Sequence, residues 1–450
     1  MRTSERRWFL IALAGAGLWC GVAGAEEGTQ RFPPPDFTDH PLPVTATPPG
    51  RAQVMEWVDI GVLAAALALA AYLVLRRRSR GGVWLLMLFS LAYFGFYRQG
   101  CICPIGAIQN VALAVFDPGY VVPVSAVAFL LLPLATALFF GRVFCAAVCP
   151  LGAIQDAVLV RPLKLPRWLE HGLGLLPWAY LGMAVLLAAT GAAFVICRYD
   201  PFVLFFRFGG SLMMLIFGLA VLVIAMFVGR AYCRFACPLG AMLRPLSRLA
   251  RWHASITPDE CIRCRLCEDA CPFNAIDRPA EPPPNLPRSS GKGRLAILIV
   301  LLPALVWGGA WLAGRAGGTL ARLHPTVQLA DGVRQRQQSP AGADVSVAAA
   351  AQADAANVID PVDVFYRTGQ PVEPLYQQAE AVESGFRAGG WYLGGFLALV
   401  VGGKLIGLSL RRRRDDYEAN RSTCVSCARC FRYCPREHVR LKKAAEGGTP

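Results

Sequence analysis

Histidine is scarce in this chain. Its 450 residues include 5, His40, His171, His253, His324 and His438, and none lies inside a long apolar run. Paired axial histidines for a haem held between membrane helices are therefore missing. No Cys-x-x-Cys-His marks covalent haem, and no Gly-x-Gly-x-x-Gly turn marks a nicotinamide or flavin dinucleotide. No Ser–His–Asp set or facing carboxylate pair stands out for hydrolysis. Charge is thin as well: 17% of residues are charged against 55% hydrophobic, with a mean hydropathy of +0.43. That balance excludes an ordinary soluble domain and fits a polytopic membrane protein. The formal charge of +15 sits in short Arg/Lys clusters beside apolar runs, without a nucleic-acid reader motif. It marks topology, and no nucleic-acid partner is expected.

What the chain does have is cysteine. Cys261-x-x-Cys264-x-x-Cys267-x-x-x-Cys271-Pro272 returns 163 positions later as Cys424-x-x-Cys427-x-x-Cys430-x-x-x-Cys434-Pro435. This is the bacterial ferredoxin spacing for [4Fe–4S] clusters, in which the fourth cysteine of each run serves the other cluster. The expected ligand sets are Cys261, Cys264, Cys267 and Cys434 for one cluster, and Cys424, Cys427, Cys430 and Cys271 for the other. Zinc is the alternative, but structural zinc pairs two Cys-x-x-Cys hooks and has no use for a third evenly spaced thiol before Cys-Pro.

The N-terminus reads as a secretory signal: basic Arg2, Arg6 and Arg7, an apolar stretch from Trp8 to Val22, and small residues to Ala25. An uncleaved anchor is the competing reading. The following proline-rich stretch is an extended linker outside the cytoplasm. Seven further apolar segments, about 57–75, 82–97, 121–140, 175–197, 211–229, 295–313 and 391–410, have membrane-span character. Counted from outside, the clusters Arg76 to Arg80, Arg161 to Arg167, Arg244 to Arg251, Arg288 to Arg294 and Arg411 to Arg414 all fall on the inner side. Both ferredoxin runs then face the cytoplasm, and the last two spans return the chain so that the halves can meet. The enclosed stretch 314–390 is expected outside. Its Ala/Gln/Ser-rich middle, Gln335 to Asn357, is expected to be disordered, and 358–385 is either a tether or a small docking surface.

Within the apolar region a second motif repeats. Gly141-Arg142-x-x-Cys145-x-x-x-Cys149-Pro150-Leu151-Gly152-Ala153 matches Gly229-Arg230-x-x-Cys233-x-x-x-Cys237-Pro238-Leu239-Gly240-Ala241. Proline suits the first turn of a helix, which places Cys149 and Cys237 at helix N-termini, where the dipole favours thiolate. The four cysteines could gather round a further iron–sulfur cluster or redox metal, form a reversible dithiol, or simply pack as small apolar side chains. A third, imperfect copy, Gly100-Cys101-Ile102-Cys103-Pro104-Ile105-Gly106-Ala107, is placed by the span count on the outer face. Cys197 is expected there too, at the end of the fourth span. Cys101, Cys103 and Cys197 could pass electrons outward or form a disulfide.

These motifs, Cys-x-x-x-Cys-Pro pairs on membrane helices followed by ferredoxin runs, resemble the NosR/NapH-type membrane polyferredoxins over about residues 55–450. The resemblance implies a haem-free electron conduit in the bacterial cytoplasmic membrane. It would link quinol or a cytoplasmic donor to a periplasmic reductase or flavoprotein, or to the maturation of such an enzyme. Cys145, Cys149, Cys233 and Cys237 match the family's Cys-Pro pairs, and the eight ferredoxin cysteines match its cluster ligands. The chain departs from NosR in having about 30 proline-rich residues where a periplasmic flavin domain would stand, so no internal flavin is expected.

The expected fold class is an all-α polytopic membrane protein, about seven spans after a signal peptide, with a split cytoplasmic ferredoxin-like 2[4Fe–4S] α+β domain. The expected organisation is signal peptide 1–25, linker 26–54, five-span core 55–252, first ferredoxin half 253–290, transmembrane hairpin 291–410 and second half 411–450.

Overall fold

The computed structural model describes residues 52–100, 103–209, 211–256, 261–279, 288–338, 361–410 and 414–446. The expected signal peptide, nearly all of the linker, Cys101 and most of 335–357 lie outside the described residues. Apolar runs without internal polar partners form helices because only a helix satisfies every backbone group within one segment of apolar surroundings. The first half of the chain is accordingly helical: α1 (Gln53–Leu75), α2 (Arg80–Ser90) continuing as a π-helical segment Leu91–Tyr97, α3 (Pro104–Phe116), α4 (Val124–Phe140), a π-helical turn Phe144–Val148, and α5 (Pro150–Val158). After these come α6 (Arg167–Leu173), α7 (Leu176–Ala189), α8 (Val195–Arg198), α9 (Val203–Arg207), α10 (Leu212–Phe227), α11 (Ala231–Phe235) and α12 (Pro238–Arg248). Local chemistry sets several starts. Ser79 and Ser211 cap α2 and α10 by accepting the N–H of Gly82 and Met214, and proline occupies the first turn of α3, α5 and α12.

Four described helices are long and apolar enough to cross a membrane: Val54–Leu75, Arg167–Ala189, Gly293–Ala321 and Val372–Ser409. Pro104–Phe116, Val124–Phe140 and Leu212–Phe227 are apolar but shorter. Two expected spans differ from the structure. The stretch 82–97 is α2 running into the π-helical segment, and the apolar helix beyond it, α3, was not anticipated. The stretch 175–197 stops at Ala189, because Gly191 takes a left-handed conformation (φ 69°) that closes the last turn through Ala192 N–H to Leu187 C=O. Residues 192–207 then fold back into the helical core. Tyr180 Oη donates to Val195 C=O, and Ile196, Phe202 and Phe206 are buried.

The chain continues through α13 (Leu266–Ala270), β1 (Ile276–Asp277), the 34-residue α14 (Arg288–Ala321), α15 (Pro325–Gln338), α16 (Pro361–Arg367), the 38-residue α17 (Val372–Ser409), β2 (Glu418–Ala419), α18 (Arg429–Tyr433) and α19 (Pro435–Ala445). α14 and α17 form an antiparallel pair whose backbones meet at small residues: Gly309 faces Gly394, and Gly390 lies against Ala313. Small residues four apart permit this approach between apolar helices. Within 358–385, where a tether or a small docking surface is expected, the described residues form α16 and the start of α17. On α15, Val327, Ala330 and Val333 recur at helical spacing, and they bury themselves with Phe365, Leu375, Ala379 and Phe386 in a small core of their own.

β1 and β2 pair antiparallel, Ile276 with Ala419 and Asp277 with Glu418, joining the two ferredoxin halves. Asn420 reinforces the seam: its N–H donates to Ala275 C=O and its amide to Asp277.

A Cβ added at Gly394 would run into the Gly309 carbonyl oxygen. Gly394→Leu is expected to wedge the hairpin apart and lower stability by about 1–3 kcal/mol, read as a fall in the thermal unfolding midpoint of the detergent-solubilised protein; Gly403→Leu, in open space, should leave the midpoint unchanged.

Candidate iron–sulfur centres

The two ferredoxin runs fold alike. Arg263 and Arg265 in the first, and Ser426 and Ala428 in the second, all have positive φ, at the second and fourth positions after the leading cysteine. Such residues cost about 1–2 kcal/mol each relative to ordinary backbone, and four at matched positions mark loops shaped for a purpose. The loops turn their sulfurs inward. Cys261, Cys264, Cys267 and Cys434 line one pocket with Ile256 and Tyr417. Cys271 and Cys424 pack with Cys427 against Phe273, Ala275 and Val425, and Cys430 has Cys424, Cys427 and Cys271 as its nearest thiol neighbours. The fourth cysteine of each run thus stands with the first three of the other.

Burial first, and then the neighbouring thiols, push the Cys267 thiol up to about 11 and the Cys424 thiol up to about 12. Four sulfurs crowded this way need a cationic centre to hold them as thiolates. A tetrahedral zinc, with Zn–S bonds of about 2.3 Å, would draw its four sulfurs to about 3.8 Å apart. Among the described residues no three Cys, His, Asp or Glu side chains lie close enough for a single ion. Two sets of four cysteines in ferredoxin spacing suit clusters, which are ligated at separate irons.

The Cys-Pro repeat forms a second gathering. Cys149 and Cys237 cap α5 and α12, and the Cys237 sulfur accepts the Gly240 N–H at 3.4 Å. Cys145, Cys233 and Cys237 surround Cys149, and all but Cys145 are buried. The two copies exchange their arginines. Arg230 of the second reaches over Gly152 and donates to Cys145 C=O and Ala146 C=O. Arg142 of the first lies over Gly240 and approaches the Cys145 sulfur at 3.8 Å. Each Gly-Arg pair also seats one ferredoxin half. Gly229 touches Pro272, with Arg230 over the Phe273 ring; Gly141 touches Ser426, with Arg142 donating to Ser422 C=O. Cys145 packs on both the helical core and the Phe273/Val425/Cys427 group, so the two gatherings adjoin.

Polar residues that the sequence did not single out hold this assembly. Asp156, fully buried on α5, meets Arg80 at 3.0 Å, Arg429 at 3.1 Å and Arg230 at 3.5 Å. Arg80 also donates to Cys427 C=O, and Arg78 pairs with buried Glu437. Gln155 accepts the Tyr232 N–H and donates toward the Cys233 sulfur at 3.3 Å. The one available signal was a Gln-Asp pair inside an otherwise apolar run after Cys149-Pro150.

Cys103 and Cys197 do not occupy a distant face. Cys103 shares a small pocket with Cys149 and Asp200, and the fold-back of residues 192–207 brings Cys197 and Asp200 beside Cys103. The juxtaposition follows from α7 ending at Ala189 and the chain after it folding back onto the core.

Comparison with known proteins agrees with this chemistry. A family described as a 4Fe-4S binding domain matches residues 122–167 and 211–257, one Cys-Pro copy each, and a second family with the same description matches 254–277. Protein NirI of Paracoccus denitrificans is 33% identical over 123 residues, 26% of this chain and 18% of NirI. The putative electron transport protein YccM of Escherichia coli is 29% identical over 123 residues, 25% of this chain and 34% of YccM. The chain thus spans well under half the length of either. The uncharacterized protein MJ0750 of Methanocaldococcus jannaschii is 30% identical over 184 residues, covering 40% of this chain and 77% of MJ0750. No solved structure matches. The chain belongs to the same family as MJ0750 and carries 4Fe-4S binding domains.

Asp156→Asn leaves three arginines around a neutral amide. Removing one partner of a buried ionic group costs about 3–5 kcal/mol. The expected outcome is a lower unfolding midpoint together with faster protease cleavage within 414–446, whose Arg429 loses its carboxylate.

Proposed function

We propose that this chain is an integral-membrane iron–sulfur electron carrier of the NosR/NapH polyferredoxin type. The observation that carries the reading is the unbroken adjacency of sulfurs. The Cys261/Cys264/Cys267/Cys434 pocket adjoins the Cys271/Cys424/Cys427/Cys430 group, which meets the Cys145/Cys149/Cys233/Cys237 gathering through Cys145. In this reading the first two sets each hold a [4Fe–4S] cluster and the third holds a further one. Bound clusters supply one-electron carriage. The protein's own part is to bury the sulfurs, to supply N–H groups such as Gly240 and Ser426 to them, and to keep the ferredoxin halves seated through Arg142, Arg230 and Asp156.

The proposed orientation puts both halves on the cytoplasmic side of a bacterial inner membrane, behind a cleaved signal peptide and about seven spans. It is supported by basic residues at helix ends that reach the ferredoxin halves: Arg78 to Glu437, Arg80 to Cys427 and Lys164 to Asp269. The proposed donor is quinol or a cytoplasmic reductant, and the proposed acceptor a periplasmic reductase or flavoprotein.

Iron and acid-labile sulfide on anaerobically purified protein test the reading. About twelve irons are expected, against about eight if the helical core holds none; zinc, or no metal, would overturn it. Cys434→Ala should perturb the EPR signal of the cluster bound by Cys261, Cys264 and Cys267, and loss confined to the other cluster would refute the exchanged sets. Clusters that quinol never reduces, in a protein still needed for another enzyme's metal content, would instead mark a maturation factor.

A further inference from the structure

Three Cys-Pro turns in this protein, not two, are built to one plan. Cys103 caps α3 as Cys149 caps α5 and Cys237 caps α12, each followed by proline and, three residues on, by glycine. Each glycine lets another group approach the helix closely. Measured from an ideal Cβ, Cys145 O stands 3.3 Å from Gly152, Cys233 O 3.0 Å from Gly240, and the Cys197 sulfur 3.1 Å from Gly106.

The glutamine of the motif is also duplicated. Gln155 Oε1 accepts the N–H of Tyr232, the residue before Cys233, and its Nε2 points to the Cys233 sulfur. Gln109 Oε1 accepts the N–H of Ile196, the residue before Cys197, at 2.9 Å. Gln109 is fully buried, and its Nε2 has no hydrogen-bond partner among the described residues. By position, then, Cys197 is to Cys103 what Cys233 is to Cys149. Asp200 fixes the turn that follows, with Oδ1 accepting the Phe202 N–H at 2.9 Å.

The difference lies in number. The turns before α5 and α12 face each other and pool four sulfurs. Among the described residues the turn before α3 pairs Cys103 with the single thiol of Cys197, with the Asp200 carboxylate nearby and Cys149 across a shared pocket. Two neighbouring thiols suit a disulfide, not a cluster.

We infer that Cys103 and Cys197 form a redox-active thiol/disulfide pair. Oxidation by an external disulfide joins the two sulfurs while that disulfide takes up the two electrons and two protons and leaves as two thiols. In reduction by an external dithiol, one thiolate attacks the sulfur of Cys197, the exposed member. The Cys103 thiolate leaves and takes up a proton, and the second thiol of the reagent resolves the mixed disulfide as the cyclic disulfide. The linked state ties α8 to the first turn of α3, beside the pocket shared with Cys149. The pair requires no metal, so it stands or falls separately from the electron-carrier reading.

Differential alkylation of the full chain in detergent tests the inference. Protein oxidised with diamide, and the same protein treated with dithiothreitol, is blocked with N-ethylmaleimide, digested and analysed by mass spectrometry. A peptide linked through Cys103 and Cys197 is expected after diamide, and both residues fully alkylated after dithiothreitol. Gly106→Ala keeps both thiols but places a methyl against the Cys197 sulfur, and should lower the linked fraction about tenfold, since disulfide geometry tolerates little displacement. Cys101→Ser should leave the linkage intact. The inference is overturned if both residues are alkylated after diamide, if the link runs to Cys101, if the linked fraction is the same in Gly106→Ala, or if a chelator rather than dithiothreitol exposes the pair.

Discussion

One buried carboxylate, that of Asp156, ties together three regions far apart in sequence. Its arginine partners come from the start of α2, from the second Cys-Pro copy and from the C-terminal ferredoxin half. A carboxylate taken out of water is costly unless charged donors satisfy its lone pairs. Here three guanidinium groups do so, and they hold the carboxyl well below the usual carboxylate range against the opposing effect of burial. The arrangement is mutual: without the ferredoxin half in place, Asp156 loses Arg429, and without the core, Arg429 loses its carboxylate. Seating of the half on the core therefore depends on complete charge matching as well as on apolar contact.

Around that hub the protein has an approximate twofold logic. Each Cys-Pro copy contributes a Gly-Arg pair, and each pair seats one ferredoxin half, Gly229 and Arg230 against Pro272 and Phe273, Gly141 and Arg142 against Ser426 and Ser422. The glycines permit backbone approach where a side chain would intrude. The arginines then cross, each covering the glycine of the other copy's cysteine turn. A duplicated motif of the core thus meets a duplicated motif of the ferredoxin, and Cys145 falls where they touch.

How much of this was legible in the sequence follows from the range of each interaction. Cysteine spacing reports a local turn, so Cys-x-x-Cys-x-x-Cys and Cys-x-x-x-Cys-Pro can be read directly, down to proline in the first helical turn. The docking role of Arg142 and Arg230 could not be read, because their contacts lie 280 positions away in one case and across a motif copy in the other. The bounds of one apolar stretch shifted where a single glycine acted: Gly191 ends α7 at Ala189, and residues 192–207 fold back onto the helical core. The small core of α15, α16 and α17 was hidden in a region of mixed composition. Val327, Ala330 and Val333 on α15, and Leu375, Ala379 and Phe386 on α17, are its periodic trace, and the polar residues between them dilute it.

The β1–β2 seam and the pocket closed by Cys434 have a consequence in time as well as space. The polypeptide emerges from the ribosome in order, so Cys261, Cys264 and Cys267 exist long before Cys434 does. Between them come two long apolar helices, which in the proposed reading enter the lipid and bring Gly309 against Gly394. Until that crossing forms, the first loop presents three sulfurs with an open side, and β1 is an unpaired edge. Completion of the ferredoxin unit is thereby made to wait on membrane insertion, so that a chain arrested or misinserted between the two runs is left with its earliest metal-binding loop unfinished.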